Sequence, residues 1–211
     1  MLQPTDDGRQ RCWWPGDDTQ YQQYHDAEWG RPLVESRALF EKICLEGFQS
    51  GLSWLTILRK RENFRSAFQS FDHAVIAQFG ETDISELMSN AGIVRHRGKI
   101  EAVINNARCL LEMEEQGISL NDFLWSFAPR VPFGRTGIAG GEYPIASQSP
   151  EATQLSKDLK RRGWKFVGPT TMYSMMQSVG MVNDHVEGCC VRDECEQQRV
   201  LTLRDFPHEE K

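Results

Sequence analysis

The sequence predicts an all-α fold. Apolar residues recur at helical spacing, as in Leu39, Phe40, Ile43, Cys44, Gly47 and Phe48, and again along the amphipathic stretch IEAVINNARCLLEMEE. Residues that start or stop helices punctuate these runs, and neither an internal repeat nor strand-like alternation stands out. At 211 residues the chain is long enough to bury a proper core. One helical domain is expected over 12–190, with 1–11 and 191–211 as flexible tails.

In order, Cys12 to Gly30 reads as an irregular aromatic arm with one helical turn, its turn marked by Pro15-Gly16 and Asp17-Asp18. Ser36 is a candidate cap for a helix to about Gln49, ended by Gly51, and Ser53 for another through Arg59. Arg61 to Phe71 carries the apolar set Phe64, Ala67, Phe68 and Phe71; Asp72 and Thr82 are candidate caps for two more short helices. Residues 91–99, AGIVRHRGK, join DISELMSN to the long amphipathic helix, and a short helix is expected around Phe123, Leu124 and Phe127. The Gly- and Pro-rich stretch at about 129–148 reads as a loop. Ser149-Pro150 opens a further helix, and Gly168-Pro169 opens a buried one stopped by Gly180. The methionines of that last helix read as core.

Composition narrows the function classes. Lys and Arg total 24 against 30 Asp and Glu, a formal charge of −6 that does not advertise nucleic-acid binding, although phosphate contacts need only a local patch. No apolar run has the length of a membrane span, and MLQPTDDGRQR has no signal-peptide core. The six cysteines therefore read as reduced and cytosolic, available for packing or for a metal.

Three constellations carry chemistry. Glu46 is a lone carboxylate near a buried helical face, with Trp54 eight residues on. A carboxylate there either caps neighbouring backbone or waits for a donor on a ligand, with Trp54 as a pocket wall. Trp13, Trp14, Tyr21, Tyr24 and Trp29 can fasten the arm to the core or stack on a flat ligand. The hairpin at 91–99 offers Gly92 and Gly98 for close backbone approach, free amides at a helix start, and the charges of Arg95, His96, Arg97 and Lys99. It resembles a helix-hairpin-helix, which holds a DNA strand by its backbone, although an ordinary helix turn with solvated charges has the same outline. KRRGWK at 160–165 is a second basic cluster. Finally, His185 and Cys189 stand one helical turn apart, and Cys12 and His25 lie near the other end of the chain. Two sulfurs and two imidazoles suit tetrahedral Zn²⁺, and a four-ligand site would be structural; Cys190 and Cys195 are rival ligands.

Taken together, YHDAEWG, CLEGFQSGLSW, RKRENFR, AGIVRHRGKIEAVINNA, WSF, KRRGWKFVG and NDHVEGCC, in this order, resemble the DNA-3-methyladenine glycosylase I family, from Cys12 to about Cys190. The resemblance implies the helix-hairpin-helix glycosylase fold. It also implies hydrolytic excision of 3-methyladenine from alkylated double-stranded DNA, releasing the free base and leaving an abasic site. By position, Cys12, His25, His185 and Cys189 match the family's ligands for one structural Zn²⁺, and Glu46 matches the acid that hydrogen-bonds the base. Trp14, Tyr21, Tyr24 and Trp54 match its aromatic pocket, and Gly92, Arg95, Arg97, Gly98 and Lys99 fall in its DNA-gripping hairpin. That hairpin departs from the Leu-Pro-Gly-Val-Gly form of the wider superfamily, so backbone contacts are expected there more than side-chain ones. The family is understood to lack the aspartate that elsewhere orients water; Asp122 and the Glu112, Glu114, Glu115 cluster read as solvated helix-end acids. A cytoplasmic monomer is implied. The alternative is a non-catalytic reader of modified bases or nucleotides using the same aromatic box.

Overall fold

The computed structural model describes residues 1–130 and 147–206, so most of the loop expected at about 129–148 lies outside the described residues. A short antiparallel ribbon, β1 (Leu2–Pro4) and β2 (Gln10–Cys12), pairs Leu2 with Cys12. Ten helices follow among the described residues: α1 (Thr19–Ala27), α2 (Ser36–Gln49), α3 (Trp54–Ala67), α4 (His73–Ile76), α5 (Glu81–Ser89), α6 (Arg97–Glu115), α7 (Leu120–Trp125), α8 (Pro150–Arg161), α9 (Pro169–Ser178) and α10 (Arg192–Thr202). The fold is thus helical with one small sheet. No described helix is long and apolar enough to cross a membrane.

Helix α2 is the hub. Leu39, Phe40 and every residue from Lys42 to Phe48 are buried, and the helix packs on α3, α6, α7 and α9. A helix buried on nearly every side must be apolar on nearly every side, which is why its two buried charges, Lys42 and Glu46, stand out. The ring series Phe48, Phe64, Phe68 and Phe71 locks α2 to α3 and the turn after it, with neighbouring centroids 4.6–6.3 Å apart. The methionines Met172, Met175 and Met176 of α9 are fully buried, as expected of core.

Several boundaries differ from the sequence reading, each for a local reason. Glu35, not Ser36, caps α2, its carboxylate accepting from the Arg37 and Ala38 amides. Helix α3 is capped by Ser53 but does not stop at Arg59; it continues to Ala67 because Phe64 keeps the buried face in phase. Helix α5 starts at Glu81, where Asp83 reaches back to the Gly80 amide in place of a Thr82 cap. The aromatic arm holds a nine-residue helix, α1, capped by Asp18.

Regular structure extends into both segments expected as tails, as far as residue 206 at the C-terminal end. Residues 2–12 form the ribbon, fastened by Arg11, which pairs with Asp7 and Asp26 at 2.7 Å each. At the other end α10 buries Cys195 and Arg199, with Arg199 paired to Glu196 and donating to the Pro129 carbonyl. A charged helix can dock in this way because its few buried groups arrive already neutralised.

Candidate functional site

Glu46 sits in the last turn of α2, and the cavity in front of it is walled by the arm. Trp14 comes from the turn before α1, Tyr21 and Tyr24 from α1, and Trp54 from the start of α3. These are the acid and the four pocket aromatics that the sequence singles out, and they surround a cavity of about 240 Å³. Trp29, Gln49, Ser174 and Gln177 complete the lining. A cavity of about 330 Å³ adjoins it, sharing Glu46, Gln49 and Ser174 and running over Ser50 to Leu52.

The rings form a box, not a stack. Trp14 meets Tyr21 edge-on at 4.9 Å and Trp29 edge-on at 5.0 Å, while Tyr24 and Trp54 lie 5.5 Å apart at 40°. The buried indole N–H groups of Trp14 and Trp54 find no acceptor among the described residues. Such a group costs about 1–3 kcal/mol unless something satisfies it, which is characteristic of a wall built for a ligand. Gly47, next to Glu46, faces away from this cavity and lets Phe166 pack closely on α2: a Cβ there would stand 3.3 Å from that of Phe166.

Electrostatics single out one pair. Burial pushes the Glu46 carboxyl up to about 7, against the pull of Lys42 and the Ser178 hydroxyl toward its charged form. Burial likewise lowers Lys42 to about 8, opposed chiefly by Glu46. Lys42 donates to the Tyr24 hydroxyl at 3.1 Å and lies over the Trp54 ring, 4.4 Å from its centroid. Sequence reasoning missed Lys42, although its spacing of four residues from Glu46 in an apolar run was a usable signal. Gln177 was also missed; its amide is fixed by donation to Asp184.

Cys12, His25, His185 and Cys189 converge behind the box. All four are buried and their ligand atoms lie within 4.8 Å of one another. The His25 Nε2–Cys189 Sγ separation is 3.4 Å, and His185 Nδ1 lies 3.6 Å from Cys12 Sγ and 3.5 Å from Cys189 Sγ. Tetrahedral Zn–S and Zn–N bonds require S···N separations of about 3.6 Å, so the donor set fits such an ion. The outer nitrogens are tied as metal-bound imidazoles need: His25 Nδ1 to Asp26 at 2.8 Å, and His185 Nε2 to the Trp29 carbonyl at 3.0 Å. The two rival thiols stand apart: Cys190 is exposed, and Cys195, though buried, is not in the group.

The hairpin between α5 and α6 is assembled, but it uses its groups unevenly. The Gly92 amide donates to Asn90 Oδ1, and its carbonyl accepts from Lys60 and Asn63 of α3, so its backbone groups are already engaged inside the protein. The Lys99 side chain is buried and donates to the carbonyls of Phe48 and Ser50, capping the C-terminus of α2. Gly92 and Lys99, expected in the DNA-gripping hairpin, thus both have their polar groups engaged inside the protein. Arg95 is exposed, Arg97 is exposed and paired with Glu81 and Glu101, and Gly98 lies in the first turn of α6. The acids considered for orienting water, Glu112, Glu114, Glu115 and Asp122, are all exposed and none lines the base cavity.

A helical body with a hairpin, and a cavity walled by aromatic rings with a buried carboxylate in its lining, defines a helical protein with a ready-made pocket for a flat ligand. The sequence matches the methyladenine glycosylase family model over residues 14–193, and the chain belongs to that family. It is 51% identical to DNA-3-methyladenine glycosylase 1 of Escherichia coli K12 over 181 residues, covering 86% of this chain and 96% of that protein. It superposes on a crystal structure of 3-methyladenine DNA glycosylase I with a TM-score of 0.80, at 51% identity and covering 86% of this chain and 98% of the other. A Staphylococcus aureus 3-methyladenine DNA glycosylase I, solved to explain 3-methyladenine recognition, has a TM-score of 0.78 at 38% identity, with 86% and 96% covered.

Proposed function

We propose that this protein is a DNA-3-methyladenine glycosylase, hydrolysing the N-glycosidic bond of 3-methyladenine in alkylated double-stranded DNA and leaving an abasic site. The observation that carries the reading is the buried Glu46 at the end of an aromatic box the size of one base. Methylation at N3 makes the nucleotide cationic, so the base is a good leaving group before any enzyme acts. The lesion is flipped from the duplex, at a cost lowered by its weakened pairing. Trp14, Tyr21, Tyr24 and Trp54 then present ring faces and edges to a planar, electron-poor base, a cation–π attraction of roughly 0.5–2 kcal/mol. Glu46 accepts a hydrogen bond from the adenine edge. The glycosidic electron pair leaves with the base, which becomes neutral, and water adds to the oxocarbenium-like sugar, whose charge the DNA phosphates help to offset.

Arg95, Arg97 and the amides at the start of α6 would contact the DNA backbone, with the cluster at Lys160, Arg161, Arg162 and Lys165 as a second positive surface. With the net charge at −6, binding confined to these patches would be modest and strongly salt-sensitive. The Cys12, His25, His185 and Cys189 set would hold one Zn²⁺. Four protein ligands leave no open position, so the ion would tie the arm to the segment before α10 and take no part in the reaction. The reading extends to a cytoplasmic monomer.

The test is release of free base from methylated duplex DNA by wild type, Glu46→Ala and Trp54→Ala. The expected result is 3-methyladenine released by wild type, with 7-methylguanine retained and both variants impaired but folded. If wild type binds methylated base but releases none, the pocket is a reader and the enzyme reading falls.

A further inference from the structure

Lys42 has no part in the scheme above, yet it packs against two of the rings that wall the cavity. It is buried, its Nζ lies 4.4 Å from the Trp54 ring centroid and 4.9 Å from that of Tyr24, and it donates to the Tyr24 hydroxyl. Tyr24 and Trp54 line the base cavity while Lys42 does not, so the ammonium rests against their outer faces. Glu46 follows one helical turn later on the same side of α2.

The charges around Lys42 are already matched, with one exception. Glu28, at the end of α1, is held in a fork by Arg61 of α3. Glu41 of α2 is held by Arg65 of α3, which also reaches Glu62. Tyr21 and Tyr24 from α1 face Glu46 as phenols, and from α9 Gln177 and Tyr173 turn to Asp184. Of the three glutamates whose charges act on Lys42, Glu28 and Glu41 are each paired with an arginine and Glu46 is not. A carboxyl so thoroughly buried would be neutral without a nearby cation, and a neutral carboxyl accepts a hydrogen bond from the base more weakly than a carboxylate does.

We propose that Lys42 is a positioning residue for base capture: clamped behind Tyr24 and Trp54, its ammonium keeps the Glu46 carboxylate ionised in the empty pocket. The inference rests on the reading that Glu46 meets the base. It adds the source of the charge that the reading requires.

The experiment is a ¹³C NMR titration of the Glu46 side-chain carboxyl in the full chain, comparing wild type with Lys42→Met and Lys42→Arg. In Lys42→Met the midpoint is expected to rise by about one pH unit or more, a tenfold change in the ratio of ionised to neutral Glu46 at neutral pH, and Lys42→Arg to stay near wild type. Binding of free 3-methyladenine, followed by quenching of indole fluorescence, should weaken in Lys42→Met at about pH 7 and recover toward pH 9. An unchanged Glu46 midpoint in folded Lys42→Met overturns the proposal. If that variant does not fold, Lys42→Gln, whose amide retains a donor for the Tyr24 hydroxyl, takes its place with the same two outcomes. Glu46→Gln separates the two ideas: undiminished binding there would remove Glu46 from base recognition and leave the titration result standing.

Discussion

His25 Nδ1 lies 2.8 Å from an Asp26 carboxylate oxygen that also accepts from Arg11, joining the proposed metal centre to the N-terminal ribbon. The bond orients the imidazole so that its Nε2 faces Cys189. Asp26 would thereby serve the proposed metal site without touching it. If the ion holds arm and C-terminal segment together, chelation should lower the melting temperature sharply, and metal analysis should find one zinc per chain. Asp26→Asn is expected to weaken zinc retention by about 10–100-fold. Unchanged zinc content and melting temperature after exhaustive chelation would sink the structural role.

Glu46 carries a cost to the fold. A carboxyl raised from 4.5 to about 7 by burial gives its full stabilising share below pH 4.5, and that share is lost as pH rises through 7. The loss is of the order of 3 kcal/mol at alkaline pH, before the uncompensated Lys42 is counted. Glu46→Gln should therefore raise the melting temperature at about pH 8, by a few degrees at most, while cutting 3-methyladenine excision. A lower melting temperature would mean that the pair stabilises the fold.

The same ionisation predicts a pH dependence. If base capture needs the charged carboxylate, as proposed, free-base affinity should be flat above pH 7 and fall as pH drops through about 7. In Glu46→Gln the step should vanish. A wild-type step displaced to the ordinary carboxylate range would show that burial does not govern this group.

The hairpin separates two lysine and arginine roles that sequence alone ran together. Lys99 caps α2, so Lys99→Met should destabilise the protein by about 1–3 kcal/mol, by leaving buried carbonyls unpaired. The salt slope of DNA binding should stay as in wild type. Arg95→Ala should leave the melting temperature alone and reduce that slope by about one phosphate contact. Anisotropy titrations on duplex DNA at several salt concentrations distinguish the pair.

How far the sequence could be read follows from range. Caps at Ser53, Asp72 and Ser149 are local bonds between a side chain and amides two or three residues on, and all three form. The box and the Cys/His set were legible because bulky aromatics and soft ligands are uncommon and their spacing matched a family pattern. The failures lie where a remote contact decides. Nothing near Lys99 says that its ammonium will cross to α2, and nothing near Arg199 says that Pro129 offers a carbonyl. Lys42 was missed because a lysine in a helix ordinarily faces solvent.

Gly30 supplies the last prediction. It adopts φ +80°, and a Cβ on it would stand 2.8 Å from His185 Nε2 and 3.0 Å from Cδ2. That nitrogen is the one bonded to the Trp29 carbonyl, so the ring cannot retreat without giving up its bond or swinging Nδ1 away from the two sulfurs. The left-handed backbone alone costs an alanine about 1 kcal/mol, and the clash adds to it. Gly30→Ala should therefore lose zinc as well as stability, and the pocket should feel it, because Trp29 lines the cavity and packs edge-on against Trp14. A folded Gly30→Ala protein with full zinc content and full base affinity would show that the metal site and the base box are not mechanically joined.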